Sequence, residues 1–134
     1  MMKNCYKTIY FFFTLLIVSS ACNRNKSAQL IFNNKTVDLG NVIPGNVYEY
    51  YIMFQNKGDQ SLIIKKVVGS CNCLNLHWPS KPILGNQFDT IFGSISISQR
   101  DTGLFRKEIM VYANTDSLFH KIDIIGTGII SPNR

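Results

Sequence analysis

The sequence predicts an all-β domain, an antiparallel β-sandwich of about seven strands, set behind a cleaved leader. Three observations predict it. Residues 28–130 show no helical periodicity. They hold short runs rich in β-branched and aromatic residues, and several of these alternate apolar and polar side chains with the period of two that a half-buried strand requires. Gly, Asn, Asp and Pro cut the runs at intervals of about 8–14 residues, the spacing of strands joined by turns in a sandwich.

The leader comes first. Lys3 and Lys7 supply positive charge with no acid nearby, Ile9–Val18 is an almost unbroken apolar run, and Ser19-Ser20-Ala21 are small. That is the layout of a signal peptide over residues 1–21. The apolar run is about half the ~20 residues a transmembrane helix needs, so a spanning anchor fails on length. The residues before Cys22 resemble a lipobox, with Ser20 and Ala21 suiting a small peptidase pocket and Ser19 standing where Leu or Val is usual. The resemblance implies a lipoprotein acylated on Cys22 (a palmitate-bearing membrane anchor), because several acyl chains hold a protein on a bilayer where one does so only marginally. Plain secretory cleavage near Ala21 is the alternative. Residues 22–28 form a short polar tether with neither an Asp after the cysteine nor an acidic cluster. By resemblance to sorted lipoproteins, this implies the periplasmic face of the outer membrane in the cell envelope.

The domain then occupies residues 29–130. Ala28–Phe32 is the first strand-like run and Thr36–Leu39 the second, ended by Gly40. Val47–Gln55 is the third, with Tyr48, Tyr50, Ile52 and Phe54 on one face. Asn56-Lys57-Gly58-Asp59 turns the chain into Ser61–Val68. A loop runs from Gly69 to Gly85. Gln87–Ser98 sets Ile91, Gly93, Ile95 and Ile97 against Phe92, Ser94, Ser96 and Ser98. Phe105–Ala113 and Leu118–Gly126 complete the set, with Thr127–Ile130 as an extension. Period-two faces of this kind supply the two inner layers of a sandwich; a small barrel is the alternative.

The run Phe54-Gln-Asn56-Lys-Gly58-Asp-Gln-Ser-Leu62-Ile-Ile64 resembles the hairpin signature of PapD-like immunoglobulin-like domains. With Cys71-Asn72-Cys73, Trp78-Pro79, Pro82-Ile83, Gly85, the run from Gly103 to Val111 and Asn114, it resembles the DUF1573 family over residues 30–128. Three positions depart from that pattern: Asn72 stands where the family has Gly, Leu74 where it has Thr, and Asp59-Gln60-Ser61 where Pro is common. The resemblance implies an immunoglobulin-like sandwich and no activity.

Function is less legible. The chain carries a net charge of +6, and +4 once Lys3 and Lys7 leave with the leader. The remaining cations are scattered, with Lys65-Lys66 and Arg106-Lys107 the only doublets. A nucleic-acid partner would call for a basic stripe with interleaved aromatics, and none is present. No acids are spaced as a general acid and base, and there is no phosphate loop, nucleophile elbow or zinc spacing. The pattern argues against an enzyme.

Cys5 leaves with the leader and Cys22 takes lipid, which leaves Cys71 and Cys73 in a loop in an oxidising compartment. Three readings compete. The first is a disulfide across one residue, strained and reducible because Cα atoms two apart in an extended chain sit near the upper limit for a bridge. The second is a thiol pair binding Cu(I) with His77. The third is pairing with another protein. Trp78 is expected as a buried lid over one end of the sandwich, and His120 as a partly buried strand histidine. Thr90 and Ser117 follow aspartates in the Asp-Ser/Thr-apolar pattern that some bacteria O-glycosylate. Two functions remain: a non-catalytic, lipid-anchored immunoglobulin-like module that binds an envelope protein or glycan, or a periplasmic thiol- or copper-handling protein built on Cys71 and Cys73.

Overall fold

A computed structural model describes residues 27–130. The leader over residues 1–21 and the acylation expected at Cys22 lie outside the described residues. Eight strands follow in order: β1 Leu30–Phe32, β2 Thr36–Val42, β3 Val47–Asn56, β4 Ile64–Gly69, β5 Leu74–His77, β6 Phe88–Ser96, β7 Gly103–Ala113 and β8 His120–Gly128. They form two four-stranded sheets, here called A (order β1-β3-β6-β5) and B (order β2-β8-β7-β4). The expected sandwich is present, with two differences.

The first difference is an eighth strand. β5 lies inside the stretch expected to be a loop and pairs antiparallel with β6 through Leu74↔Ile95 and Leu76↔Gly93. Its four residues half-bury Leu74 and Leu76 and expose Asn75 and His77, an alternation too short to stand out among prolines and glycines. The second difference is direction. Every strand pairing is antiparallel except β2 with β8, which is parallel. The chain leaves sheet A after β1 and joins sheet B at β2, so β2 arrives alongside the last strand in the same sense. Side-chain alternation carries no information about strand direction.

The core forms between the inner faces. Phe54, Leu62, Ile91, Ile95, Ile109, Ile122 and Ile124 are fully buried, each worth roughly 1.5–3 kcal/mol relative to exposure. Tyr50 lies across Gly93, its partner on β6, where any Cβ would collide with the phenol ring. The buried Tyr50 hydroxyl has no hydrogen-bond partner among the described residues, and burial pushes its pKa up to about 12.

Asn56 organises one end of sheet A. Its Oδ1 accepts from the Gln29 and Gly58 amides at 3.2 and 3.0 Å. Its Nδ2 donates to the Gln60 and Ile83 carbonyls at 2.7 and 2.9 Å. The side chain is completely buried and spends its full hydrogen-bonding capacity on four backbone groups from three segments. Gly58 must be glycine because a Cβ would overlap the Ser27 carbonyl as the chain enters β1. Leu62 bridges to Ile83. The Phe54–Ile64 signature is therefore a folding motif: core residues, a polar hub and a close crossing of two backbones.

At the opposite end Asp101 holds the β6–β7 connection. It accepts from the Ser98 amide and hydroxyl at 3.0 and 2.8 Å and from Lys107 Nζ at 2.7 Å. The hydrogen bond from Lys107, assisted by those from Ser98, holds its carboxyl below the usual carboxylate range against the opposing effect of burial.

Candidate functional site

Because alternate residues of a strand point to opposite faces, burying Tyr50, Ile52 and Phe54 of β3 turns Val47, Glu49, Tyr51 and Met53 outward. Burying Ile91, Gly93 and Ile95 of β6 likewise turns Phe88, Thr90 and Phe92 outward. Register then assembles these side chains into rows. Tyr51 lies opposite Phe92, and Phe92 lies opposite His77 on its other side. Met53 faces Thr90, and Gln55 sits between Ile31 of β1 and Phe88 of β6. Cross-strand neighbours of this kind have Cβ atoms within about 5.5 Å.

The result is a contiguous apolar and aromatic surface. Tyr51 is 66% exposed, Phe92 60% and Phe88 59%, with Ile31, Val47 and Met53 also open to solvent. Glu49, Gln55, Asn75, His77 and Ser94 rim or interrupt it, and no lysine or arginine lies on β1, β3, β5 or β6. A continuous exposed apolar patch with a polar rim marks an interaction surface, whereas isolated exposed hydrophobics do not. Aromatic and methionine side chains are also the types enriched in protein–protein interfaces.

A second feature adjoins this face. Between β2 and the middle of β3 runs an open cleft of about 420 Å³, lined by Thr36 to Leu39 on one wall and Glu49 to Met53 on the other, with Asn33 and Asn34 at its end.

The residues singled out from sequence are dispersed. Cys71 and Cys73 occupy the turn between β4 and β5, joined as a disulfide with Cα atoms 5.1 Å apart. The backbone is turned there and not extended: the Leu74 amide bonds the Cys71 carbonyl at 3.3 Å, and this turn shortens the Cα separation. His77 does not join the cysteines. The four-residue length of β5 separates them, with Cys73 next to Ile95 and Ser96 and His77 opposite Phe92, about 13 Å of extended chain. The Cys71–Cys73–His77 cluster is thus not assembled, and among the described residues no three His, Cys, Asp or Glu side chains gather within reach of a metal.

Trp78 is 37% exposed rather than a buried lid. His120 is half-buried at the start of β8, with Nε2 2.9 Å from Thr115 Oγ1; burial lowers its pKa, with Lys35 adding to the effect. Ser117 is exposed in the β7–β8 loop, and Thr90 sits half-buried within the aromatic face.

That face went unremarked in the sequence, though a signal was there. VYEYYIMFQ is apolar on both of its alternating faces, and Phe88 and Phe92 fall on the wrong face of their strand for the core. A strand that is apolar on both sides has either two buried faces or a surface to cover.

A family model described as a protein of unknown function, DUF1573, matches residues 30–127. No curated protein matches the chain in sequence. Among solved structures, the chain is similar to PapD-like domain 7 of human CEP192, with 11% identity, a TM-score of 0.62 and coverage of 78% of this chain and 88% of that one. It is similar to a protein of unknown function from Porphyromonas gingivalis W83, with 12% identity and a TM-score of 0.66, covering 76% of this chain but 47% of that protein. It is also similar to the periplasmic chaperone SfaE, with 10% identity and a TM-score of 0.58, covering 76% and 59% of the two chains. At such identities the likeness is one of fold: the domain is a PapD-like immunoglobulin-like sandwich.

Proposed function

The chain belongs to the DUF1573 family, and from that premise we propose that it is a non-catalytic binding module, lipid-anchored in the cell envelope, that recruits a protein partner through the outer face of sheet A. The observation that carries the reading is the run of exposed side chains Ile31, Val47, Tyr51, Met53, Phe88 and Phe92 on one continuous sheet surface. The immunoglobulin-like scaffold supplies a rigid platform, and Tyr51 and Phe92 supply large contact areas at low conformational-entropy cost. Likeness to chaperone and binding domains is compatible with recruitment and does not identify the partner.

Cys22 supplies the anchor in this reading, holding the domain at the periplasmic face of the outer membrane. Cys71 and Cys73 clamp the turn that carries the chain from sheet B to sheet A, and no chemistry is assigned to them.

Two measurements test the proposal. Native-level co-purification from crosslinked cells is compared for the wild-type protein and the double variant Tyr51→Lys/Phe92→Glu, with urea unfolding as a folding control. A partner retained by the wild type and lost by an equally stable variant is the expected result. A monomer with no crosslinked partner, or equal capture by both proteins, contradicts it. For the anchor, Cys22→Ser is expected to move the protein from the membrane to the soluble fraction; persistence on the membrane defeats that part.

A further inference from the structure

We propose that the free edge of β3, beside the β1–β2 crossover, is a strand-addition site that takes an extended segment of a protein partner carrying alternating apolar side chains and a lysine or arginine. The inference rests on the binding-module reading and specifies its mode of contact.

The edge is open because β1 is short. β1 covers β3 only from Phe54 to Asn56, with one further bond from the Asn33 amide to the Met53 carbonyl at 3.1 Å. β6 pairs with the other side of β3 along its length, from Val47 to Gln55. Strand residues direct their amide and carbonyl alternately to the two sides of the ladder. The Asn33 bond puts Met53 on the β1 side, so Tyr51 and Glu49 present their backbone groups to the same side, where no strand pairs with them.

The other sheet edges carry the protections that suppress unwanted pairing. β2 is interrupted between Asp38 and Asn41, with Gly40 at a φ of 63°. β4 carries Lys65 and Lys66 and a register shift between Ile64 and Lys66. β5 is four residues long. The Val47–Met53 stretch of β3 has no proline, no lysine and an unbroken register with β6.

The cleft specifies the occupant. Val37, Leu39 and Ile52 give it apolar walls, into which alternate side chains of an added strand would project. Asp38 and Glu49 are its charged lining residues, with no lysine or arginine among them, in a chain with 14 basic and 8 acidic residues. That local reversal of charge favours a cationic side chain on the incoming strand. The polar tether of this chain is an unsuitable occupant, because Ser27 and Gln29 lie against Gly58 and Lys57, beyond the far end of β3.

The test uses the full chain in detergent and synthetic octapeptides. The parent peptide alternates valine and threonine around one central lysine. Two derivatives are N-methylated on alternate residues in the two registers, and a third replaces the lysine with glutamate. Amide hydrogen exchange reads Glu49 and Tyr51, and fluorescence titration reads affinity. The parent peptide is expected to slow exchange at Glu49 and Tyr51 by about tenfold or more while leaving Val67 and Val68 on β4 unchanged. One N-methyl register, the glutamate peptide and the Glu49→Lys protein are each expected to weaken binding by about tenfold. Full-strength binding to Glu49→Lys, or no binding of any peptide while Tyr51 and Phe92 still govern partner capture, overturns the edge assignment and leaves the binding-module reading intact. Protection of Glu49 and Tyr51 without peptide, rising with protein concentration, overturns it in favour of a second copy of this chain.

Discussion

The outer faces of the two sheets are built by the same pleat and differ in chemistry, with ion pairs on one and aromatic side chains on the other. On sheet B, Lys121 is ion-paired with Glu108 and lies 3.5 Å from Asp123, with Arg106 and Thr127 on the same face. The hydrogen bond from Lys121 to Glu108 is the main cause of its raised pKa, and exposed pairs of this kind add little to stability. Leu104, Met110, Tyr112 and Ile125 share this face, but they are interleaved with these charges. On sheet A the equivalent positions hold Tyr51, Met53, Phe88 and Phe92. Folding constrains the inner face of each sheet through packing and leaves the outer face nearly free. What an outer face carries therefore reflects what it meets: water on sheet B and, in this account, a protein on sheet A.

That contrast depends on sheet A being held by something other than its aromatic face. Asn56→Ala removes four hydrogen bonds, leaving the buried Gly58 amide and the part-buried Gln29 amide and Gln60 carbonyl without that partner, while the Ile83 carbonyl keeps only its bond from the Leu62 amide. It is expected to cost about 3–4 kcal/mol in urea unfolding, the largest effect of any single change considered; a loss below about 1 kcal/mol would show that the hub does not hold the sheet.

Asp101→Ala is expected to cost about 2 kcal/mol, since it frees the Ser98–Asp101 turn and strands the Lys107 ammonium. The folded-state pKa of Asp101 is depressed. Its contribution is therefore complete above the unfolded value of about 3.9 and lost as pH falls through the lower folded value. A stability profile measured through that acid range should flatten in Asp101→Asn.

Tyr50→Phe deletes a buried hydroxyl without a partner and is expected to raise stability by up to about 1 kcal/mol. It should also remove a loss of stability that the wild type shows as pH rises from about 10, the unfolded tyrosine value, through about 12, the folded one. Destabilisation by Tyr50→Phe would mean that the hydroxyl has a bound partner.

The smallest expected effects on stability fall on the two outer faces. Tyr51→Lys/Phe92→Glu, which sets opposite charges across the Tyr51–Phe92 pair, is expected to stay within about 0.5 kcal/mol of wild type and to abolish partner capture. Lys121→Ala is expected to change neither property. If the two faces respond alike, the functional contrast fails.

Much of the frame was legible from alternation alone. Alternation separates Ile91, Gly93, Ile95 and Ile97 from Phe92, Ser94, Ser96 and Ser98, and the first set is the buried one. β5 was missed because four residues between turns give period-two patterning too little room. The parallel pairing of β2 with β8 was missed because direction depends on where the chain changes sheets. The exposed Trp78 and the separation of His77 from the cysteines depend on that missed strand, which extends the chain between them. The aromatic face was present in the letters of Val47–Gln55, but a strand apolar on both faces does not say which face is the core until its neighbours are placed.

The decisive experiment is site-specific photocrosslinking in intact cells, with a benzophenone amino acid placed at Phe92 on sheet A and at Thr127 on sheet B in otherwise native proteins. A discrete adduct of one size from Phe92, lost when Tyr51→Lys is added, together with none from Thr127, is the predicted result. Equal adducts from both positions, or none from Phe92 in a protein that remains folded, would contradict the claim that the outer face of sheet A is the recognition surface.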